Sequence, residues 1–309
     1  MTELVQMNFV SWIFFAANRI FVAAIRLLPY GREPVFDRYF RLVKRLSPRY
    51  IGRTYFGATI DCEIEDHIMK RIFFFNVWEP HNSDLIQSVL QPGDTFVDVG
   101  ANVGYDTLLG SKSVGHKGRV VAIEAARSIF EQLEINLARN GIDNVRAVKL
   151  AVSDRVAELT LFGGDRGNQG RTSTMQRDNL VPVETVLTKP LDEILTDEER
   201  SLVKLIKIDI EGGELPVLER LADTLHLYGP EMRLLVEMSE DPSGRSRAVF
   251  DKLLAAGFSA YEVENDYSLG SYLRWPSRKA PKSIADLPRN QTDVFFERAA
   301  RPHNAVLQG

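Results

Sequence analysis

The stretch that decides the fold is Thr95-Phe96-Val97-Asp98-Val99-Gly100-Ala101-Asn102-Val103-Gly104-Tyr105. It opens with an apolar run of the kind found in strands that are buried in a parallel sheet. Gly100 then permits a tight turn, and we expect a helix to begin near Val103. A strand, a glycine turn and a helix N-terminus together form a binding site for a nucleotide-like ligand at the carboxyl edge of a sheet.

The spacing of the glycines indicates which ligand this turn accepts. A dinucleotide fingerprint reads G-x-G-x-x-G and seats a pyrophosphate against bare backbone. Here Asn102 occupies the position of the second glycine, and Asp98 places an acid at the strand end, where it would repel an anion. An acid suits a ligand with a cationic amine, and S-adenosylmethionine carries both an amine and a sulfonium. Glu124 ends the next apolar run, about 20 residues on, and is suitably placed to bind ribose hydroxyls.

The composition narrows the class of protein. The chain has 309 residues, 44% of them hydrophobic, with a formal net charge of −4 and a single cysteine, Cys62. This length fits one large domain or a domain with an extension. Nucleic-acid-binding domains are usually basic, so we expect no nucleic acid partner. A lone cysteine cannot form a disulfide framework, which favours a cytoplasmic protein, or one held peripherally at the inner face of the membrane.

The apolar segment over residues 9–28 leaves two interpretations open. It contains Arg19 and Arg26, which make a membrane-spanning helix costly. As a helix it could pack on its own domain or on a second subunit, which makes a homodimer plausible. Alternatively, it could lie at a membrane surface with its arginines near the lipid head groups.

The rest of the chain is predicted to alternate strands with helices. This pattern is typical of a mainly parallel sheet with helices on both faces. Residues 1–50 are predicted to be a helical extension, residues 51–90 a β-hairpin and a helix, and residues 91–300 the nucleotide-binding domain. The hairpin strands are expected over 55–60 and 68–75, and a long loop without secondary structure is expected between the last two strands, 259–263 and 293–297.

The motif from Gly93 to Tyr105 closely resembles the opening motif of the FkbM-type S-adenosylmethionine-dependent methyltransferases. Four further segments match the family in the same order, and any one of them alone would be weak evidence. They are Trp78-Glu79-Pro80, Glu124, Ala151-Val152-Ser153-Asp154 and Lys207-Ile208-Asp209-Ile210-Glu211-Gly212. The resemblance covers about residues 55–265. The chain departs from the family at Ala125, where the family usually has proline.

The resemblance implies an α/β class I methyltransferase fold with a Rossmann-like, seven-stranded sheet flanked by helices. Six strands would be parallel and the last antiparallel, and residues 91–300 would form the S-adenosylmethionine-binding domain. It also implies O-methylation of a hydroxyl on a sugar, glycolipid or secondary metabolite, so that the partner is a small-molecule or glycan acceptor.

The resemblance also implies the cofactor contacts. Those at the methionine end are Asp98, Gly100, Asn102 and Tyr105, while Glu79 approaches from the N-terminal side. Glu124 would take the ribose, and Ala151 and Val152 would border the adenine. Ala101, Ala125 and Asp209 complete the set.

Activation of the acceptor hydroxyl requires help, because an alcohol is a poor nucleophile at neutral pH. Asp209 and Glu211 lie where the fourth strand is predicted to end, and strand alternation would place both on one side. Either could be the base, or both could only shape the loop and bind the cofactor. Together with Glu237 they could hold Mg²⁺ through oxygen ligands, although no metal is expected. His81, next to Trp78-Glu79-Pro80, is a further candidate base.

Two other functions remain as alternatives. One is a nicotinamide-dependent oxidoreductase, against which Asn102 and the missing second glycine argue. The other is a non-catalytic binding module at a membrane surface that keeps the cofactor fold. Aromatic residues near the C-terminus, among them Tyr267 and Trp275, could stack on a sugar ring.

Overall fold

The N-terminal part of the protein is a layer of helices over a short hairpin. The computed structural model describes residues 9–163, 172–173, 181–276 and 280–298. The first elements are α1 (Phe9–Arg26), α2 (Arg32–Leu46), β1 (Arg49–Arg53), β2 (Thr59–Glu63), α3 (His67–Phe75) and α4 (Pro80–Val89). Strands β1 and β2 pair in antiparallel fashion.

The strand predicted over 68–75 is wrong, because this segment is helix α3. The Asp66 side chain accepts a hydrogen bond from the backbone N–H of Met69 and so caps the helix N-terminus. The apolar run from Ile72 to Phe75 is buried on all sides of the helix. Periodicity cannot distinguish such a short, continuous apolar run in a helix from a buried strand.

Helix α1 packs on its own domain. Val22 and Ile25 are buried in the same hydrophobic cluster as Phe73 of α3. The buried side chain of Asn18 donates a hydrogen bond to the carbonyl of Phe73 (3.1 Å) and accepts one from the Tyr39 hydroxyl (2.9 Å). Within the described part of the chain, no helix has both the length and the apolar character needed to cross a bilayer.

The remaining elements mostly alternate strands with helices, although five strands follow one another over residues 145–189. In chain order they are β3 (Thr95–Val99), α5 (Tyr105–Val114), β4 (Arg119–Ile123), α6 (Arg127–Arg139), β5 (Val145–Val148), β6 (Ala151–Val152), β7 (Ala157–Gly163), β8 (Thr172–Ser173), β9 (Val181–Lys189), α7 (Leu191–Ile194), α8 (Asp197–Leu202), β10 (Val203–Ile208), α9 (Glu214–Asp223), β11 (Arg233–Met238), α10 (Arg245–Ala255), β12 (Phe258–Val263), α11 (Leu269–Arg274), β13 (Lys282–Ile284) and β14 (Thr292–Arg298).

The central sheet confirms the α/β fold. Its strand order is β13-β12-β14-β11-β10-β3-β4-β5. The strands from β11 through β10, β3 and β4 to β5 pair in parallel, whereas β14 runs antiparallel to both of its neighbours. Over the described residues the sheet has eight strands rather than the predicted seven, because β13 adds to the edge strand β12. A smaller sheet has the order β6-β9-β7-β8.

The segment between β12 and β14 is not the structureless loop that was predicted. It contains α11 and β13, and Tyr272 and Leu273 of α11 are buried. Residues 163–174, which are glycine-rich and polar in the sequence, fall largely outside the described residues.

Helices cover both faces of the central sheet, and strand alternation decides which residues meet them. Val97 and Val99 of β3 join a core with Leu218 and Leu221 of α9. Phe96 points to the opposite face, where it joins Leu109 of α5. The carboxyl ends of β3, β4, β10 and β11 therefore meet at one edge, which is the usual place for a ligand in an open α/β sheet.

Candidate active site

The turn after β3 is shaped by Gly100 and Asn102. Gly100 has a φ of +83°, and the backbone N–H groups of Gly100 and Ala101 both donate to the carbonyl of Ile123 at the end of β4. Asn102 has a φ of +50°, a conformation that asparagine tolerates better than most residues. The turn thus bends in the left-handed region first at Gly100 and again at Asn102, where asparagine takes the place of a glycine.

Glu124 joins this turn to the start of α6. Its carboxylate accepts hydrogen bonds from the backbone N–H groups of Asn102 (3.0 Å) and Ala126 (2.9 Å). Burial raises the pKa of Glu124, while these backbone donors, together with Ala125, work in the opposite direction. The carboxylate is therefore held in place at the edge of β4 before any ligand binds.

Two adjoining pockets open at this edge of the sheet. The apolar pocket is lined mainly by Val99, Ile123, Glu124, Ala125, Ile129, Leu150, Ala151, Val152, Leu161 and Ile210. The polar pocket is lined mainly by Asp66, His67, Trp78, Glu79, Ala101, Tyr105, Asp106, Lys207, Glu237, Tyr267, Gln291 and Asp293. Four residues, Gly100, Asn102, Asp209 and Glu211, line both. A single ligand with an apolar part and a cationic part could therefore occupy both pockets.

Lys207 is the cation at the base of the polar pocket. Its ammonium lies 2.9 Å from Asp209 and 3.2 Å from Asp106. Burial opposes the charged form, but Asp209 and Asp106 outweigh it and raise the pKa of Lys207 well above its usual value. Burial also raises the pKa of Asp106 to about 6, against the lowering effect of Lys207.

The walls of the polar pocket carry further acids, so its overall charge is negative. Burial raises the pKa of Glu79, and burial together with the negative charge of Glu79 raises that of Asp293. Burial likewise raises the pKa of Glu237 to about 7, with the nearby Asp209 acting in the same direction. Carboxyls whose pKa values are raised in this way are typical of sites that receive a cation or handle protons.

A closed set of hydrogen bonds ties the polar pocket to the C-terminal part of the chain. The Asn82 amide donates to both Glu79 and Asp293 at 2.9 Å. The Tyr267 hydroxyl donates to Glu79 at 2.6 Å, and Asn265 donates to Asp293 at 2.8 Å. Two carboxyls from distant parts of the sequence are thus held together by neutral amides and a phenol.

An aromatic shelf stands beside this hydrogen-bonded set. It consists of Trp78, Tyr267 and His67. The Tyr267 ring stacks on that of Trp78 with centroids 5.3 Å apart, and the His67 ring stands edge-on to both. Such flat apolar faces beside hydrogen-bonding groups are suited to sugar rings and other flat ligands.

Strained backbone concentrates at the polar pocket. The described residues other than glycine with a positive φ are Asn76, Glu79, Asn102 and Glu211, and the last three line this pocket. Glutamate is seldom found in this conformation, which costs roughly 1–3 kcal/mol. The surrounding structure therefore holds Glu79 and Glu211 in place, as is common at functional sites.

The sequence segment that contains most of these pocket residues identifies the protein family. A model of the methyltransferase FkbM domain matches residues 98–260, more than half of the 309 residues. The chain belongs to the FkbM methyltransferase family. This assignment removes the oxidoreductase alternative and confirms the resemblance seen in the motifs.

Two curated relatives are methyltransferases. One is methyltransferase 1 of Beauveria bassiana, which is 28% identical over 154 residues, covering 43% of this chain and 60% of that protein. The other is an arsenite methyltransferase of Halobacterium salinarum, 29% identical over 58 residues, covering 19% of this chain and 15% of that protein. The chain thus spans less than two thirds of the length of either relative.

Solved structures of methyltransferases are also similar. An S-adenosylmethionine-dependent O-methyltransferase from Thermotoga maritima is 11% identical, with a TM-score of 0.41 over 84% of this chain and 97% of that one. A methyltransferase from Streptococcus mutans in complex with S-adenosylhomocysteine is 10% identical, with a TM-score of 0.40 over 71% of this chain and 96% of that one. At these identities the similarity concerns the fold alone.

The donor set of this FkbM methyltransferase fits its cofactor, S-adenosylmethionine. The apolar pocket offers Ile123, Ala151 and Val152 to a flat base. The polar pocket offers buried carboxylates, among them Asp106, whose Oδ1 has no hydrogen-bond partner within the described part of the protein. A buried, unpaired carboxylate oxygen calls for a donor such as an ammonium group.

Most of the residues predicted to contact the cofactor line the two pockets. They are Glu79, Gly100, Ala101, Asn102, Tyr105, Glu124, Ala125, Ala151, Val152 and Asp209. Asp98 does not line either pocket. Strand alternation turns its side chain to the face occupied by α5, where it is fully buried and accepts a hydrogen bond from Thr107 at 2.6 Å.

Of the three predicted catalytic residues, two line the pockets and one does not. Asp209 and Glu211 line both pockets, but not as strand neighbours, because β10 ends at Ile208 and both residues belong to the following loop. His81 lies in the first turn of α4 and lines neither pocket. The histidine at the polar pocket is His67, which the sequence did not single out because the strand predicted over 68–75 hid the start of helix α3.

The carboxylates that could hold a metal differ from the predicted set. Oxygens of Asp209, Glu214 and Glu237 lie within 4.8 Å of one another, so Glu214 takes the place that was predicted for Glu211. Both oxygens of Glu214 already accept hydrogen bonds from the loop backbone at Ile210 and Gly212. The position of Glu214 is thus explained by its role in holding the loop, without an ion.

Proposed function

We propose that this protein is an O-methyltransferase that transfers the methyl group of S-adenosylmethionine to a hydroxyl of a sugar, glycolipid or related small molecule. The observation that carries the proposal is the aromatic shelf of Trp78, Tyr267 and His67 within the same polar pocket as Asp209 and Glu211. A shelf of this kind gives a sugar ring a face to pack on, and the carboxylates around it can accept hydrogen bonds from hydroxyls.

The cofactor supplies a methyl carbon that the sulfonium has already activated, so the protein mainly aligns the reactants and excludes water. Glu124 would accept hydrogen bonds from the ribose hydroxyls, and the acids of the polar pocket would hold the cationic end. Asp106 and Asp209 both form ion pairs with the ammonium of Lys207.

Glu237 is the carboxyl best suited to accept the proton of the acceptor hydroxyl. It lines the polar pocket at the end of β11, and its pKa of about 7 lies near working pH, as general-base catalysis requires. Asp209 is less suited because Lys207 already donates a hydrogen bond to it at 2.9 Å. Glu211 remains a second candidate base in the same pocket.

Methyl transfer to a panel of glycosides and glycolipids tests the proposal. We expect labelled methyl groups to pass from S-adenosylmethionine to the hydroxyl of at least one acceptor, with a rate that falls at least 100-fold in Glu237→Gln. Tight binding of the cofactor without turnover on any hydroxyl acceptor would instead favour a non-catalytic binding module.

The role of Glu124 is tested by binding of S-adenosylhomocysteine. We expect Glu124→Gln to weaken binding about tenfold, because the neutral amide loses charge-assisted hydrogen bonds worth about 1.4 kcal/mol. Isothermal titration calorimetry measures the affinity. Glu134→Gln, at an exposed position of α6, is the matched control and should leave it unchanged. Equal affinities in both variants would contradict the assignment of Glu124 to the ribose.

A further inference from the structure

The α1–α2 hairpin exposes apolar side chains on the outer face of α1. Ile13, Ile20 and Leu27 are 43%, 72% and 85% exposed and recur every seven residues, which places them on one side across the α1 helix and the residue after it. The opposite side of α1 carries Val22 and Ile25, which are buried. The exposed positions are therefore a stripe and not isolated residues.

Helix α2 has a similar outer face. Val35, Leu42 and Leu46 are 41%, 54% and 61% exposed, while Phe36 and Val43, about a quarter turn away around the helix, are buried. A soluble protein has little reason to present large apolar side chains along both helices of a hairpin, and exposed apolar patches of this kind mark interaction sites.

Both stripes face away from the same supporting element. The buried side of α1 bonds to α3 through Asn18 and the Phe73 carbonyl. The buried side of α2 packs on α3 through Phe36, whose ring lies 5.1 Å from that of Phe74. Because both helices rest on α3, the exposed stripes of α1 and α2 lie on the outer side of the pair and form one surface, the hairpin face.

The charge of the hairpin is opposite to that of the whole chain. Residues 9–46 contain seven basic and two acidic side chains, a net charge of +5, in a protein of formal net charge −4. Arg38, Arg41 and Arg45 are exposed and lie among the apolar residues of α2. A partner that covers this face must offer both an apolar layer and negative charge.

We propose that the hairpin face binds the surface of a membrane rich in anionic lipids. The apolar stripes would enter the boundary between head groups and acyl chains, and the arginines of α2 would contact the head groups. A second copy of the chain fits less well, because an isologous interface would bring two surfaces of charge +5 together.

Vesicle sedimentation tests the proposal with the full-length protein. We expect binding to vesicles of 70% phosphatidylcholine and 30% phosphatidylglycerol, weakening with added salt, and little binding to pure phosphatidylcholine. Each basic residue near such a surface changes the partition coefficient about fivefold, so the triple variant Arg38→Gln, Arg41→Gln, Arg45→Gln should lose about 100-fold. Ile20→Ser with Leu27→Ser should also weaken binding at least tenfold, through lost apolar burial.

Matched controls come from equally exposed positions elsewhere. Leu202→Ser changes an apolar side chain that is 57% exposed on α8, and Lys117→Gln removes an exposed charge. Both should bind like the wild type, and all variants should keep its melting temperature because each altered side chain is exposed. Failure of the wild type to bind anionic vesicles at low salt would overturn the proposal. A dimer that the hairpin variants abolish, without vesicle binding, would overturn it in favour of self-association.

Discussion

At the residue scale, the absence of a side chain at Gly100 allows two loops to approach each other closely. A Cβ at this position would lie 1.8 Å from the backbone carbonyl oxygen of Asp209. The turn after β3 and the loop after β10 can therefore approach each other only because glycine stands here. That approach brings Asn102 and Asp209 to the same pocket walls.

Gly100→Ala should destabilise the protein by at least about 3 kcal/mol, because a backbone atom cannot move away cheaply. Gly93→Ala is the control, since Gly93 also has a positive φ (+99°) but no atom within 4 Å of an added Cβ. It should cost only about 1–2 kcal/mol from the backbone conformation. Urea denaturation measures both free energies of unfolding, and equal losses would contradict the predicted clash.

Glu237 should make stability depend on pH. Burial, and then the charge of Asp209, raises its pKa from 4.5 to about 7 in the folded protein. The protonated form is thus favoured by folding, and stability is lost as pH rises from about 4.5 through about 7. Glu237→Gln should therefore raise the free energy of unfolding by about 1–2 kcal/mol at pH 8, a range that allows for partial solvent screening.

The same substitution should have no effect at pH 4.5, where the glutamate is already neutral. Denaturation at pH 4.5, 6 and 8 gives the comparison, and Glu240→Gln at an exposed position is the control. A constant difference across this range would show that the carboxyl does not titrate as described.

At the element scale, α3 shows how packing overrides a local pattern. Its apolar residues are buried because α1 and α2 lie over them, and its last four residues, Ile72 to Phe75, are all apolar, which obscures the helical period of 3.6. The sequence does contain the capping residue Asp66. Without the tertiary structure, however, the segment around Asp66 resembles a turn between two strands. The buried amide of Asn18 then fixes where α1 lies on α3.

Asn18→Ala should destabilise the protein by about 2 kcal/mol. The substitution leaves the carbonyl of Phe73 and the hydroxyl of Tyr39 without their partner in a buried place. Arg19→Ala, at the exposed neighbouring position, should change stability by less than about 0.5 kcal/mol. Thermal or urea denaturation of both variants measures the difference, and a neutral Asn18→Ala would show that the amide does not hold α1.

At the scale of the whole molecule, the α1–α2 hairpin and the methyltransferase domain share one hydrophobic core. Val22 and Val43 of the hairpin belong to the same buried cluster as Tyr105 of α5 and Leu133 of α6. The polar pocket adjoins this shared core, because its residue His67 is the first residue of α3 and its residue Tyr267 lies shortly before α11.

Removal of residues 1–46 should therefore impair folding rather than produce a smaller active domain. We expect the truncated chain to expose α3, bind the dye ANS and lose its cooperative thermal transition. Near-ultraviolet circular dichroism and light scattering provide the comparison with the full chain. A truncated protein that stays monomeric and melts as the full chain does would show that the shared core is dispensable.

The sequence alone determined the fold class, the family and the cofactor of this protein. These depend on short-range information, namely apolar runs, the Gly100 and Asn102 turn, and motifs that follow one another in a fixed order along the chain. Tertiary structure alone decided that Asp98 turns under α5, that His67 rather than His81 reaches the pocket, and that Asp293 and Tyr267 join Glu79. The hydrogen bonds of the last set join residues 188 and 211 positions apart in the chain. All of these contacts depend on strand pairing and helix packing, which local periodicity does not encode.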